Sequence, residues 1–413
     1  MIKRLKLQYY AFPKPFRILI ASTFIDRLGG ALIFPFLSLY VVQKFNVGMT
    51  EVGLIFGLWS ISSLVGSMIG GALADRLGRK VIIIFGLISS AVTGILMGLV
   101  TDLSAFYFLA LVAGIFSDIG HPARQAMVAD LLEGDQRAEG FGVLRVVANL
   151  AITFGPAIGG VLAGVSYLLL FIIDACTSSI TALIVLLAIP ETKPTGVEGT
   201  ETESVVKIIA GYREIAKDKL FMAFIFATII VISVYTQMYT TLPVFLNRVH
   251  DIPAHGFGYM MSMNAAIVVL FQFWIVKRIK KFPPMLLMML ASALYGIGFV
   301  LYGYVSAYTM FFVGMAVITI GEMIHIPVAQ SLAAFFAPED MRGRYMAAYG
   351  LGWAIPNSVA PFLAGLVMDN YDPYWVWYIA GILAVVAVIC FGLLQYKVKD
   401  RFTAFMQADQ NNQ

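Results

Sequence analysis

Twelve runs of about twenty apolar residues, separated by short polar or Pro/Gly breaks, divide the chain, and that length is what an α-helix needs to cross a bilayer. The runs fall near residues 18–41, 51–73, 81–100, 104–130, 140–163, 167–189, 219–246, 256–276, 284–304, 307–335, 344–367 and 373–396. They are apolar all round, which marks lipid-embedded or bundle-core helices. Composition agrees: 60% of the 413 residues are AVILMFWYC and 13% are charged, an apolar excess that only lipid can solvate. The reading is an all-α polytopic membrane protein. A soluble enzyme, a disordered chain and a disulfide scaffold are excluded, since the only cysteines, Cys176 and Cys390, lie inside apolar runs. The opening MIKRLK leads into the first run without a small-residue cleavage site, so a retained first helix is expected, not a removed signal peptide. The net charge of +4 implies no nucleic-acid partner.

Placement of the cations predicts the orientation. Of the 28 Lys and Arg, twenty-three fall on the termini and even-numbered loops, including Lys3, Arg4, Lys6, Lys14, Arg17, Lys277, Arg278, Lys280 and Lys281. Only Lys44 and Arg248 fall on the odd-numbered loops, and Arg27, Arg124 and Arg145 lie inside runs. Both termini are therefore expected in the cytoplasm, with the protein in the cell membrane.

The longest polar stretch, residues 191–218, separates two halves, which predicts a six-helix bundle over 1–190, a cytoplasmic linker, a second bundle over 219–400 and a cytoplasmic tail over 401–413. The halves are self-similar: 122–160 aligns without a gap to 327–365, pairing Pro122 with Pro327, Gln125 with Gln330, Asp135 with Asp340, Arg137 with Arg342, Pro156 with Pro361 and Gly160 with Gly365. Two pseudo-symmetric bundles with a substrate site near the midplane, and transport by rocking one against the other, follow from such a repeat.

At the end of the second run stands GGALADRLGRK, residues 70–80. Gly71 suits close helix approach, Gly78 suits a tight turn, and Asp75 can accept from donors at a neighbouring helix N-terminus. Arg76, Arg79 and Lys80 anchor the loop by charge. From Gly71 onward this resembles the signature loop of the major facilitator superfamily, and the resemblance implies a conformational latch built on Asp75 and Arg76. The corresponding loop of the second half, VKRIKKFPP (276–284), keeps the charge without the glycines or the acid. The fifth run contains GPAIGG, in which Pro156 is expected to bend the helix and Gly155, Gly159 and Gly160 to seat a neighbour. It is similar to the element of antiporter branches of the superfamily. LGGALIFPFLSLY (28–40), partly repeated as LPVFL (242–246), resembles the Pro-containing element of the twelve-spanner drug:proton antiporters. One departure stands out: where such exporters often carry an Arg before a Q-G pair, the fourth run has Ala110 and Ala113, with Arg145 in the fifth run as a substitute.

Ionisable groups at membrane depth are costly and mark function. Asp26, Arg27, Asp118, Arg124, Arg145, Asp174 and Glu322 are in this class. Asp118 and Glu322 lie about 20 Å from the outer ends of their runs and Asp26 about 12 Å from the inner end, at about 1.5 Å per residue. The fourth and tenth runs share acid-x-x-His, as SDIGHPARQ and GEMIHIPVAQ, which would set Asp118 with His121, and Glu322 with His325, on one helix face. A carboxyl group in low dielectric can exchange a proton near neutral pH, and a His can relay it. Proton coupling is thus assigned to Glu322, Asp118, Asp26, His325, His121 and Arg145. Structural hydrogen bonds holding Pro-containing helices are the plain alternative. Half of a dinuclear metal centre would need more carboxylates than Asp26 supplies, so no metal is expected.

In the fold that the resemblance implies, the first, fourth, seventh and tenth helices line the cavity. Phe34, Tyr235, Gln237, Met238 and Tyr239, with Arg27 and Asn149, are the expected substrate contacts, an adaptable Met- and aromatic-rich surface with cation–π capacity. Ordinary helix packing also accounts for such residues. The sequence lacks a G-x-x-x-x-G-K-S/T loop, H-E-x-x-H and G-x-S-x-G, so neither a cofactor nor catalysis is expected and an ion gradient is the energy source. The reading is a monomeric proton-coupled exporter of lipophilic, often cationic, small molecules. The rivals are a lipid or glycolipid flippase, a divalent-metal or other small-solute antiporter, and a gradient-independent receptor.

Overall fold

The computed structural model describes residues 12–134, 136–193, 214–338 and 341–411. Asp135 and Asp340, the residues 194–213 of the expected linker, and Lys3, Arg4 and Lys6 lie outside them. The described residues contain helices and no strand, as expected where lipid offers backbone groups no partner. Twelve helices are long and apolar enough to cross a membrane: Lys14–Phe45, Met49–Leu77, Arg79–Leu99, Leu103–Leu131, Glu139–Ala163, Tyr167–Ala188, Lys219–Thr240, Ala254–Ile279, Pro284–Tyr302, Tyr308–Phe336, Arg344–Asn370 and Trp375–Val398. They are called spans 1 to 12 below. Their outer faces are apolar, with side chains such as Met68 (78%) and Leu187 (76%) exposed, the pattern of helices solvated by lipid.

Three breaks have local causes. Span 1 passes through a 3-10 turn at Phe34–Phe36, where Pro35 cannot donate to the helical ladder. Span 4 is two helices, Leu103–Ile119 and His121–Leu131, joined at Gly120 with Pro122 in the first turn of the second. Span 7 ends at Thr240, short of the expected 246, and Pro243 opens a separate helix Leu242–His250. By contrast, Pro156 and Pro327 lie inside helices that stay continuous over Gln136–Ala163 and Tyr308–Phe336. The last helix runs on to Asn411, so residues from 401 extend it.

Contacts group the chain into two compact units. Of the described residues, the first holds those up to 193 together with 239–269 and 361–369, and the second those of 214–238, 270–360 and 370–411. This grouping differs from a cut at 191–218. Glycines mark close approaches within the first unit: a Cβ at Gly160 would meet the His255 Cα at 2.9 Å, one at Gly53 would strike the Phe362 backbone, and one at Gly365 that of Met49. Small residues let backbones approach where a side chain would hold them apart. Asp369 adds a polar clamp in this unit, accepting from the backbone N–H of Met49 at 2.9 Å and of Thr50 at 2.7 Å at the start of span 2. The second unit is built on aromatic packing, with Trp377 stacked on Phe299 at 6.0 Å and edge-on to Tyr302 at 5.5 Å.

Span 2 meets span 4 through Gly66 and Gly70, where an added Cβ would collide with the carbonyl oxygens of Ile115 and Ile119. Gly71, the residue expected to allow that approach, has only the Pro122 Cβ at 3.8 Å. Gly70→Val is expected to cost about 1–3 kcal/mol through forced separation of the helices. Gly142→Ala, with nothing within 4 Å, is expected to be neutral or slightly stabilising. Thermal unfolding of the purified protein in detergent checks both.

Candidate functional site

The signature loop forms a clasp within the first unit. Gly78 adopts φ +108°, which separates the end of span 2 from the start of span 3. The exposed N-terminus of span 3 is capped by Glu191, whose carboxylate accepts from the N–H of Arg79 at 2.9 Å and of Lys80 at 3.1 Å. Capping was expected of Asp75; its side chain, 74% exposed, instead pairs with Arg79 at 3.3 Å. The Arg79 side chain, 10% exposed, also lies 3.3 Å from Asp130 on span 4, an ion-pair contact that lacks hydrogen-bond geometry at Nε. Lys193 donates to the Arg76 carbonyl at 2.7 Å. Arg79 is thus paired by Asp75 and Asp130, and Glu191 answers the backbone donors of the helix that Arg79 opens. The last two carry no sign of this role in the motif itself.

Spans 1 and 6 run against each other in a regular register. Thr181 donates to the Ser22 carbonyl at 3.1 Å, Ser178 to Asp26 at 3.4 Å, and Gly29 leaves room for Asp174, whose Oδ1 would lie 2.8 Å from an added Cβ. Positions 22, 26 and 29 therefore face 181, 178 and 174, the spacing of one helix face. This register carries Asp174 into a cavity of about 450 Å³. Phe34, Trp59, Met97, Phe171, Tyr239 and Met261 give it apolar walls, and Asp26, Arg27, Ser117, Asp174 and Ser178 are polar. A smaller polar cleft of about 70 Å³ adjoins it, sharing Asp26, Arg27 and Ser117 and adding Asp118, His121 and Arg124.

The charges in this region are unequally partnered. Asp26 is bound by Arg124 at 3.0 Å. Asp118 is bound by Ser63 of span 2, which the Gly66 and Gly70 contacts bring within reach. His121 meets Gln125 at 3.4 Å. The carboxylate of Asp174 and the guanidinium of Arg27 line the cavity with no hydrogen bond or ion pair among the described residues.

The other expected site residues fall in different surroundings. Asp118 and His121 lie on either side of the break at Gly120 and both line the smaller cleft, with no hydrogen bond joining them. Glu322 and His325 do share a helix, yet His325 is fully buried against the Tyr295 ring at 5.8 Å, and neither ring nitrogen has a hydrogen-bond partner. Tyr235, Gln237 and Met238 are buried in the second unit, where Tyr235 packs on Tyr295 and Trp353, and they do not line the cavity. Arg145 and Asn149 are exposed and do not line it either. Phe34 and Tyr239 do, with ring centroids 6.5 Å apart. Pro156 also lines it, while Gly155 and Gly159 pack against Ala31 and Leu32 of span 1. Asp174 was legible as a charge within an apolar run; Ser63, Ser178, Trp59 and Met97 gave no signal, since their positions depend on helix register.

These partners set the expected stability of four variants. Glu191→Ala is expected to cost about 1 kcal/mol as a lost cap, with Asp75→Asn costing less than about 0.5 kcal/mol at its exposed position. Asp26→Asn, which strands the partly buried Arg124, is expected to cost about 3 kcal/mol. Asp174→Asn has no partner to lose and removes a charge from a poorly solvated place, so it should be neutral or stabilising. Thermal unfolding of the four variants in one detergent ranks them.

The family model of the Major Facilitator Superfamily matches residues 19–361 and 326–408. A "Na(+), Li(+), K(+)/H(+) antiporter" of Planococcus maritimus is 27% identical over 403 residues, covering 90% of this chain and 93% of that protein. "Multidrug resistance protein MdtH" of Escherichia coli (strain SE11) is 23% identical over 379 residues, covering 91% and 92%. Among solved structures, the nucleoside transporter NupG superposes with a TM-score of 0.80 at 15% identity, covering 92% of this chain and 99% of that one. A bacterial homologue of the human lysosomal transporter Spinster gives 0.75 at 15% identity, covering 93% and 98%; both show the shared fold. With twelve membrane-length helices and a family match along nearly the whole chain, the protein is a multi-pass membrane transporter that belongs to the major facilitator superfamily.

Proposed function

We propose that the protein is a proton-coupled antiporter that exports lipophilic, often cationic, small molecules by alternating access of two six-helix repeats, residues 1–190 and 219–400, with both termini in the cytoplasm. The observation that carries this reading is the 450 Å³ cavity with aromatic and Met walls, in which the Asp174 carboxylate and the Arg27 guanidinium both stand without an ion pair among the described residues. That volume suits a drug-sized ligand, the aromatic faces of Phe34, Trp59 and Tyr239 attract cations, and a charge-assisted contact to Asp174 would fix the cationic end. The adjoining cleft supplies proton sites. Protonation of Asp118 weakens its hold on Ser63, and protonation of Asp26 releases Arg124, so proton binding there changes the contacts between spans 1, 2, 4 and 6. Gradient-driven release of these protons on the cytoplasmic side then drives the substrate out. The relative named as a multidrug resistance protein supports the substrate class, and the relative named as a cation/H+ antiporter supports exchange against protons.

A second reading, exchange of Na+ or K+ for protons, draws on that latter relative and on the oxygen donors beside the carboxylates, Ser63 at Asp118 and Ser178 at Asp26. Proteoliposomes containing the full chain and an imposed pH gradient separate the two. The expected result is gradient-dependent movement of ethidium, reduced at least about ten-fold in Asp174→Asn, the loss of one charge-assisted contact of about 1.5–3 kcal/mol. The double variant Glu322→Gln with Asp118→Asn should no longer respond to the gradient. Ethidium movement that ignores the gradient in the unaltered protein would sink the proposal. Proton movement that follows Na+ or K+ with no response to ethidium would establish the second reading.

A further inference from the structure

The two signature-position loops differ in how they hold one cation. After span 2, Arg79 is enclosed between Asp75 and Asp130, and Glu191 occupies the backbone donors. At the end of span 8, Lys277, Arg278, Lys280 and Lys281 fall within five positions, all exposed. The sequence contains no Asp or Glu between Asp251 and Glu322. None of the four cations has an ion pair among the described residues; the one contact is the Arg278 guanidinium over the Trp274 ring at 5.2 Å.

Beside these cations stand exposed aromatics. Phe273 is 93% exposed, and Trp274 and Phe282 more than half exposed. Phe273 and Trp274 lie at the loop end of span 8, which closes at Ile279, and Phe282 follows the last lysine. The end of a membrane-length helix is where hydrocarbon gives way to headgroups, the level that Trp and other aromatics favour. Lys277 and Arg278 in the last helical turn are favoured by its dipole, but Lys280 and Lys281 lie beyond the helix, and no ion pair among the described residues answers them. A set of unanswered cations at headgroup depth, bordered by side chains that insert into lipid, is complementary to anions in the bilayer itself.

We propose that residues 273–282 form a docking surface for anionic phospholipid headgroups, with Lys277, Lys280 and Lys281 meeting the phosphate and Phe273, Trp274 and Phe282 seated among the acyl chains. The surface belongs to the second unit alone and does not depend on what the cavity carries. It distinguishes this loop from one whose charge serves only to set topology.

The test reads the lipid next to Trp274. The full-length protein is reconstituted in vesicles of brominated phosphatidylglycerol or brominated phosphatidylcholine, and the Trp274 signal is taken as the difference from Trp274→Phe. The expected result is a preference for phosphatidylglycerol of about five-fold or more at low salt, falling toward unity near 0.5 M salt as screening takes over. The triple variant Lys277→Gln, Lys280→Gln, Lys281→Gln should show no preference at any salt concentration. Equal quenching by the two lipids in the unaltered protein, or a preference that survives the triple variant, overturns the proposal. Should the triple variant fail to insert, the salt titration of the unaltered protein decides, since a preference that does not respond to salt also overturns it.

Discussion

Hydrocarbon offers no hydrogen bonds and solvates no charge, and the rest of this structure depends on that constraint. It forces the backbone into helices and removes the usual drive for helices to associate, because a Leu is as well solvated by a lipid tail as by another Leu. What then holds helices together is close van der Waals approach and a few polar contacts. Gly66, Gly70, Gly155 and Gly159 supply the first, and Thr181 with Ser22 and Asp369 with Thr50 supply the second.

The same constraint sorts the charges. Arg79 is neutralised by two acids and Asp26 by Arg124, so these groups hold helices in place. Asp174 and Arg27 line the cavity, and Lys277, Arg278, Lys280 and Lys281 stand at the end of span 8, with no ion pair among the described residues. An unpaired charge is tolerable in such a protein only where something other than the protein can answer it. The cavity and the lipid headgroups are two such places.

Asp174 illustrates how a tertiary register makes a site. The residue stands in an otherwise ordinary apolar helix, and its placement depends on Gly29 of span 1 being small enough for span 6 to approach. The near-repeat around His121 and His325 illustrates the reverse. The two segments match in residue order, but Gly120 breaks one helix and the other continues through Pro327, so equal sequences come to unequal surroundings.

The sequence by itself determined the class, the number and the approximate limits of the spans, because hydrophobic length is a property of consecutive residues. It also determined the signature loop and the turn at Gly78, which depend on local backbone chemistry. Only the tertiary structure decided that Glu191 and not Asp75 caps span 3, that Gly66 and Gly70 and not Gly71 bring spans 2 and 4 together, and that Asp174 rather than Tyr235 or Met238 reaches the cavity. Each of these turns on the relative rotation and height of two helices distant in the chain. A helix apolar on every side has no polar face to fix that rotation, so it is set by a few glycines and hydroxyls whose partners the linear sequence does not name.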